Sequence, residues 1–169
     1  MSRRYYGKHR GTVVNNVDPL RTGRIQVQVP DVTGPGPSTW AMPSFPTAGA
    51  QHGAWMLPPL GAGVWVEYEQ GNADYPIWSG CWYGSVAEVP ATALAAPPGA
   101  TPIVLQTALQ NGLVISDAPG PAGGILIKAA TGAFISVNDS GITISNGQGA
   151  TIVMAGSSVS VNQGALVVT

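Results

Sequence analysis

Charge is what this chain of 169 residues has least of. Seven Lys and Arg stand against eight Asp and Glu, 9% of the residues together, where an ordinary soluble domain carries roughly 25%. A surface so poor in charge, in a chain without membrane-like stretches, is expected to be hidden in an assembly. The net charge of −1 leaves no basic excess of the kind that phosphate-dominated nucleic-acid grooves need. A single cysteine, Cys81, excludes an intramolecular disulfide framework and fits synthesis in a reducing compartment. It reads as a small core residue of a strand rather than a reactive thiol. The basic start MSRRYYGKHR is followed by GTVVNNVDPL and no apolar h-region, so a secretory signal is not expected. The uncharged run 89–116 is broken by Pro90, Pro97, Pro98 and Pro102 and is no membrane span.

Catalytic and metal-binding patterns are equally scarce. There is no nucleophile elbow, P-loop or metal-ligand spacing, and Gly34-Pro35-Gly36 lacks the helix that a phosphate loop needs. Glu67 and Glu69, at i and i+2 on one strand, could mimic an acid/base pair, but a solvated or inter-subunit polar edge explains them better. Asp74 belongs to a turn. His9, between Lys8 and Arg10, is expected to be exposed, and the only other histidine is His52. The chain is expected to be no enzyme and to carry no cofactor and no metal.

Short β-strands are what the sequence does contain. Residues 57–84, LPPLGAGVWVEYEQGNADYPIWSGCWYG, read as an aromatic hairpin: a strand over 64–69, a turn over 71–74 and a strand over 76–83. Trp65, Tyr68, Trp78 and Trp82 mark it as a packed antiparallel pair. Before it, 8–14 is a weakly alternating strand. Residues 23–29 alternate cleanly, Ile25, Val27 and Val29 against Arg24, Gln26 and Gln28. Residues 33–38 and 49–53 are loops, and 40–42 is a short strand. The expectation is an all-β fold beginning with a five-stranded barrel over 1–88. The Ala/Pro-rich stretch after it reads as a linker, 89–101, in preference to a short helix at 92–96.

The material changes after that. Residues 102–169 hold three charged side chains, Asp117, Lys128 and Asp139, and one aromatic, Phe134. Strand-like runs begin near 103, 113, 125, 134, 142, 151, 159 and 166, separated by turns such as Asn111-Gly112, Ser140-Gly141, Asn146-Gly147 and Gln163-Gly164. Each run offers about two inward apolar residues. One copy has too little bulk for its own core, and repeats of this kind bury their apolar face only by stacking. Several identical chains around a common axis, forming a prism-like β-helix, are the economical solution.

Three motifs, GKHRGTVVNNVDPLRTGRIQVQVPDV, STWAMPSFPTAG and the hairpin, resemble the N-terminal OB-fold domain of the baseplate protein V family. That family is similar to the spike proteins of type VI secretion and of phage-tail-like injection particles. The repeat tail resembles the family's C-terminal trimeric β-helix. The resemblance implies a homotrimer of OB collars and an intertwined needle, at the distal end of the tail tube of a contractile machine, that pierces the target envelope on sheath contraction. It implies tube or hub proteins and the baseplate wedge as partners, with transient contact to the target membrane. It also implies assembly in the bacterial cytoplasm into a phage virion or extracellular injection particle. Residues 86–101 are too short for the enzymatic domain of larger relatives, and no HxH pattern is present to build an iron-bearing tip. The blunt, uncharged end implies a separate PAAR-type tip protein seated on Val161, Leu166, Val167, Val168 and Thr169. Arg3, Arg4, Lys8 and Arg10 are candidates for tube or hub contact, and Trp78, Trp82 and Tyr83 for the collar–needle junction. The competing reading is an OB-fold single-stranded nucleic-acid-binding protein with an oligomerising tail. It is weakened because Arg21 and Arg24 are offset by Asp18, Asp31, Glu67 and Glu69.

Overall fold

β-Branched and aromatic residues at alternate positions build the first part of the chain. A computed structural model, which describes residues 3–168, divides into two units, Met1–Glu88 and Val89–Thr169. In the first unit lie β1 (His9–Asn15), β2 (Gln26–Gln28), β3 (Met42–Pro43), β4 (Ala48–Gly49), β5 (His52–Gly53), β6 (Gly63–Tyr68) and β7 (Pro76–Trp82). Five of them form one sheet in the order β2-β1-β6-β7-β3, antiparallel except for the parallel pair β3 and β7. The sheet curls until its outer strands meet. Just before β2 and β3, Ile25 and Ala41 exchange both backbone hydrogen bonds, at 3.2 and 2.7 Å, and a second bridge joins Gln28 to Pro37. Closure of this order into a five-stranded barrel is the OB architecture.

Alternation decides what lies inside. Ile25, Val27 and Val29 are fully buried, with Val13, Ala41, Val64, Val66, Tyr68 and Trp78 completing the core. The edges differ in detail from the sequence reading. Residues 49–53 fall within a small hairpin, β4 against β5, rather than an open loop. After Val29 the chain makes one helical turn, α1 (Pro30–Thr33), because proline at a first helical position lacks only an N–H that would be unpaired anyway. Strand β6 stops at Tyr68, and Glu69–Gly71 forms a 3-10 turn in which Gln70 takes φ +50°.

In the second unit a one-turn helix, α2 (Ala91–Leu94), occupies part of the stretch read as linker. Eight strands follow: β8 (Ile103–Gln106), β9 (Gly112–Ser116), β10 (Gly124–Lys128), β11 (Phe134–Asn138), β12 (Gly141–Ser145), β13 (Thr151–Ala155), β14 (Ser158–Val161) and β15 (Leu166–Val168). Each starts within one residue of the expected position. They form a single antiparallel meander, every strand paired with its sequence neighbours. Seven steps of about 4.8 Å make the sheet roughly 34 Å tall. Glycine permits the tight approach at strand starts: Gly124, at φ +78°, lies so close to the Val137 carbonyl that a Cβ would overlap it.

Candidate functional site

The register of the tail sheet sorts its side chains by face. Ile103, Ile115, Ile125, Val137, Ile142, Met154, Val159 and Val168 face one another in an unbroken row across the eight strands. A second row, two residues away, runs Leu105, Leu113, Ile127, Ile135, Ile144, Ile152, Val161 and Leu166. Side chains two apart share a face, so this face carries two large aliphatics from each strand and nothing else in these two rows. The row between them, on the opposite face, includes Val104, Val114, Leu126, Ser136, Thr143, Val153 and Ser160.

The aliphatic face is uncovered. Eleven of its side chains are 38–59% exposed, and among the described residues every exposed large apolar side chain on the tail strands belongs to it. Ala118 is the one buried hydrophobic residue of the second unit among the described residues. An apolar patch this large and continuous marks an interaction surface. Sequence reasoning anticipated two inward residues per run. What the runs do not reveal is how completely the aliphatics of all eight strands gather on one face.

The residues singled out for partner contacts fall in various settings. Each of the four N-terminal cations already has an intramolecular partner. Lys8 pairs with Glu67 at 3.2 Å and donates to Ser79 Oγ at 2.8 Å. The Arg10 guanidinium stacks 5.7 and 5.1 Å from the Trp65 and Trp82 ring centres. Arg3 lies over Tyr5 at 5.3 Å, and Arg4 donates to the Gln70 carbonyl. Trp78 is a core side chain, its indole N–H donating to the Gly23 carbonyl at 3.1 Å. Trp82 is half-buried over Gly63 and donates to the Val64 carbonyl, while Tyr83 is exposed. At the C-terminal end Val161, Leu166 and Val168 lie on the aliphatic face, and Val167 pairs with Ser160 through the backbone. Thr169 lies outside the described residues.

Several expectations are corrected. Glu67 and Glu69 do not share a strand face, because the 3-10 turn begins at Glu69. His9 is not exposed: its ring packs between Tyr5 and Tyr68, 6.1 and 5.5 Å away, with Nε2 buried and unpartnered. Burial, with Tyr5 adding to it, pushes the Tyr68 hydroxyl up to about 12. Cys81 is exposed rather than core, and partial desolvation by the barrel still raises its thiol above the usual range. Asp74, by contrast, does belong to a turn, an Asx turn in which its N–H donates to Asn72 Oδ1. Among the described residues no group of three His, Cys, Asp or Glu side chains could hold a metal ion.

One polar feature escaped the sequence reading. Asp18, which in the sequence figures as a charge offsetting Arg21 and Arg24, is a buried carboxylate at the hub of its loop. It accepts from Arg24 Nη2 at 2.7 Å and Nε at 3.0 Å, from the backbone N–H groups of Leu20, Thr22 and Arg24, and from the Thr22 hydroxyl. The Arg24 guanidinium and the loop donors hold its carboxyl far below the usual carboxylate range, against the opposing effect of burial. The Asp-x-x-x-Thr-x-Arg spacing is a weak signal, since many exposed loops carry it.

The fold and surface define a class: a structural protein with a closed OB barrel and a tail whose exposed aliphatic sheet needs other chains. Comparison with known families agrees. Residues 9–83 match the Type VI secretion system/phage-baseplate injector OB domain. Residues 102–167 match the phage baseplate V C-terminal trimerisation domain. The two matches together span most of the chain, which belongs to the baseplate V/VgrG-like spike family and is a baseplate structural protein. The trimerisation match supports a homotrimer. No curated protein matches the chain.

Proposed function

We propose that this protein is the central spike of a contractile injection machine. Three copies turn the aliphatic faces of their tails towards a common axis and make a needle, with the OB units as a collar at the distal end of the tail tube. The carrying observation is the uncovered aliphatic face on a stretch that matches a trimerisation domain. A ladder whose backbone groups are paired throughout, closed around a dry aliphatic interior, has no soft element to bend under load. Sheath contraction would drive that needle through the target envelope. The chain passes to the needle after Trp82 and Tyr83, candidates for the collar–needle junction. Arg3, Arg4, Lys8 and Arg10 offer a basic surface to the tube or hub above the collar, and the baseplate wedge completes the surroundings. Val161, Leu166, Val167, Val168 and Thr169 would seat a PAAR-type tip, covering apolar groups that would otherwise face water. The particle is assembled in the bacterial cytoplasm and acts from a virion or an extracellular injection particle, without catalysis, cofactor or nucleic acid.

The test is to image particles made with the full chain, with a chain ending at residue 101, and with no chain. Full-length particles are expected to show axial density below the tube and to puncture target cells. The truncated chain should lose both. Normal killing by particles without the chain would refute the reading.

A further inference from the structure

Two departures from the tail's regularity bracket one strand, β9. Before it, residues 107–111 form a tight turn. Thr107 N–H donates to the Asn111 carbonyl at 2.9 Å, Gln110 N–H to the Thr107 carbonyl at 2.8 Å, and Ala130 N–H to Asn111 Oδ1 at 3.0 Å. This locked turn presents Leu109 to solvent, 77% exposed. The connections 129–133, 139–140, 146–150, 156–157 and 162–165 carry small or polar residues only. After β9, residues 117–123 make the longest connection of the sheet. It folds over the face opposite the aliphatic rows, buries Ala118, and is tied to the next turn on that side by Gly120 N–H donating to Asp139 Oδ2 at 3.0 Å. Beneath it lies a cavity of about 360 Å³ walled by Val114, Leu126, Phe134, Pro121 and Ala122. Phe134 is the tail's one aromatic residue.

We infer that Leu109 of one chain is the knob that fills this cavity on the next chain of the trimer. The inference rests on the trimeric reading above. Closed cyclic symmetry makes each contact heterologous, so one end of a sheet's strands meets the opposite end of its neighbour's. A pure rotation adds no rise along the axis. Features at the same level therefore meet, and the knob and the cavity flank the same strand. The cavity has room, since removing one buried leucine side chain opens roughly 150 Å³. The occupant is thus a second copy of this chain, at a corner contact distinct from the aliphatic faces on the axis.

Full-length protein with Cys81→Ser carries the test. Leu109→Cys combined with Ala122→Cys is oxidised and run on a non-reducing gel, beside each single substitution. Cross-linked species of two and three chains are expected from the pair alone. A trimeric mass in sedimentation without cross-links would overturn the corner contact and leave the trimer standing, whereas a monomeric mass for the wild type would overturn both. In parallel, Leu109→Asp is expected to lower the trimer's thermal transition by several degrees, while Leu94→Asp, at another exposed leucine, leaves it unchanged. Equal transitions for the two variants would also overturn the contact.

Discussion

The two units solve the burial of apolar surface in opposite ways. The barrel closes on itself: Ile25 and Ala41 join its edges, and nine side chains form a core that water does not reach. The tail has strands as regular as the barrel's, richer in Ile and Val, yet its two aliphatic rows stay open to solvent. A single-chain meander pairs each strand only with its sequence neighbours and supplies no second layer for that face. The lesson is that regular secondary structure and a strict apolar pattern do not by themselves make a folding unit. A second layer must exist, and here it has to come from other copies.

The sharpest way to break that contrast is a charge on the aliphatic face. Ile127→Asp would bring three carboxylates into the trimer interior, each at a cost of several kcal/mol. Loss of the trimer by sedimentation analysis is expected. Thr143→Asp, on the other face, should stay within about 0.5 kcal/mol of the parent and leave the mass unchanged. Separating the units comes next: residues 1–88 alone should be a folded monomer, and 102–169 alone should trimerise or precipitate. A soluble folded monomer from the tail would erase the distinction.

Within the barrel, Val66→Ala should remove about 2–4 kcal/mol of stability by opening a cavity, read from urea unfolding, with the trimer retained. Also within the barrel, Asp18→Asn is expected to lower the melting temperature at neutral pH by removing the charge that Arg24 pairs with. The sign of its pH dependence follows from the depressed carboxyl. A folded value below the unfolded one contributes stability that is present above about pH 4 and lost as the pH falls through the folded value. The gap between Asp18→Asn and the wild type should therefore close in strong acid; a gap that is constant down to pH 2 would count against the ion pair.

Much of this was legible in the residues. Gly, Asn and Ser punctuate the tail so regularly that its strand starts are placed to within one residue, and the alternation of 23–29 names three core side chains. Turn chemistry at Asp74 was equally readable, because Asn72 sits two residues before it. Other features were hidden because they depend on what lies nearby in space. His9 looks exposed between two cations, but β1 carries it against Tyr5 and Tyr68. Asp18 looks like one of several scattered surface charges until Arg24 folds back on it. Cys81 looks like core in a strand whose neighbour Trp78 is buried, yet the β6–β7 pairing shifts register between Val64 and Val66 and Cys81 faces solvent. The connection 117–123 gives no sign in its sequence that it arches over Phe134.

The chain's own residues determine that it is all β, that it changes material near residue 100, and that its second half is short of bulk. Those are consequences of local preference and composition, which need no long-range contact. The tertiary structure alone decided that the aliphatics of eight strands fall on one face, because that outcome depends on register, and a one-residue slip in any strand would have turned its pair of side chains to the other side. It also decided that the barrel seals its edges while the tail sheet leaves its face bare. Closure requires strands distant in sequence to meet, as Ile25 and Ala41 do, whereas a meander pairs only neighbours and never returns over itself.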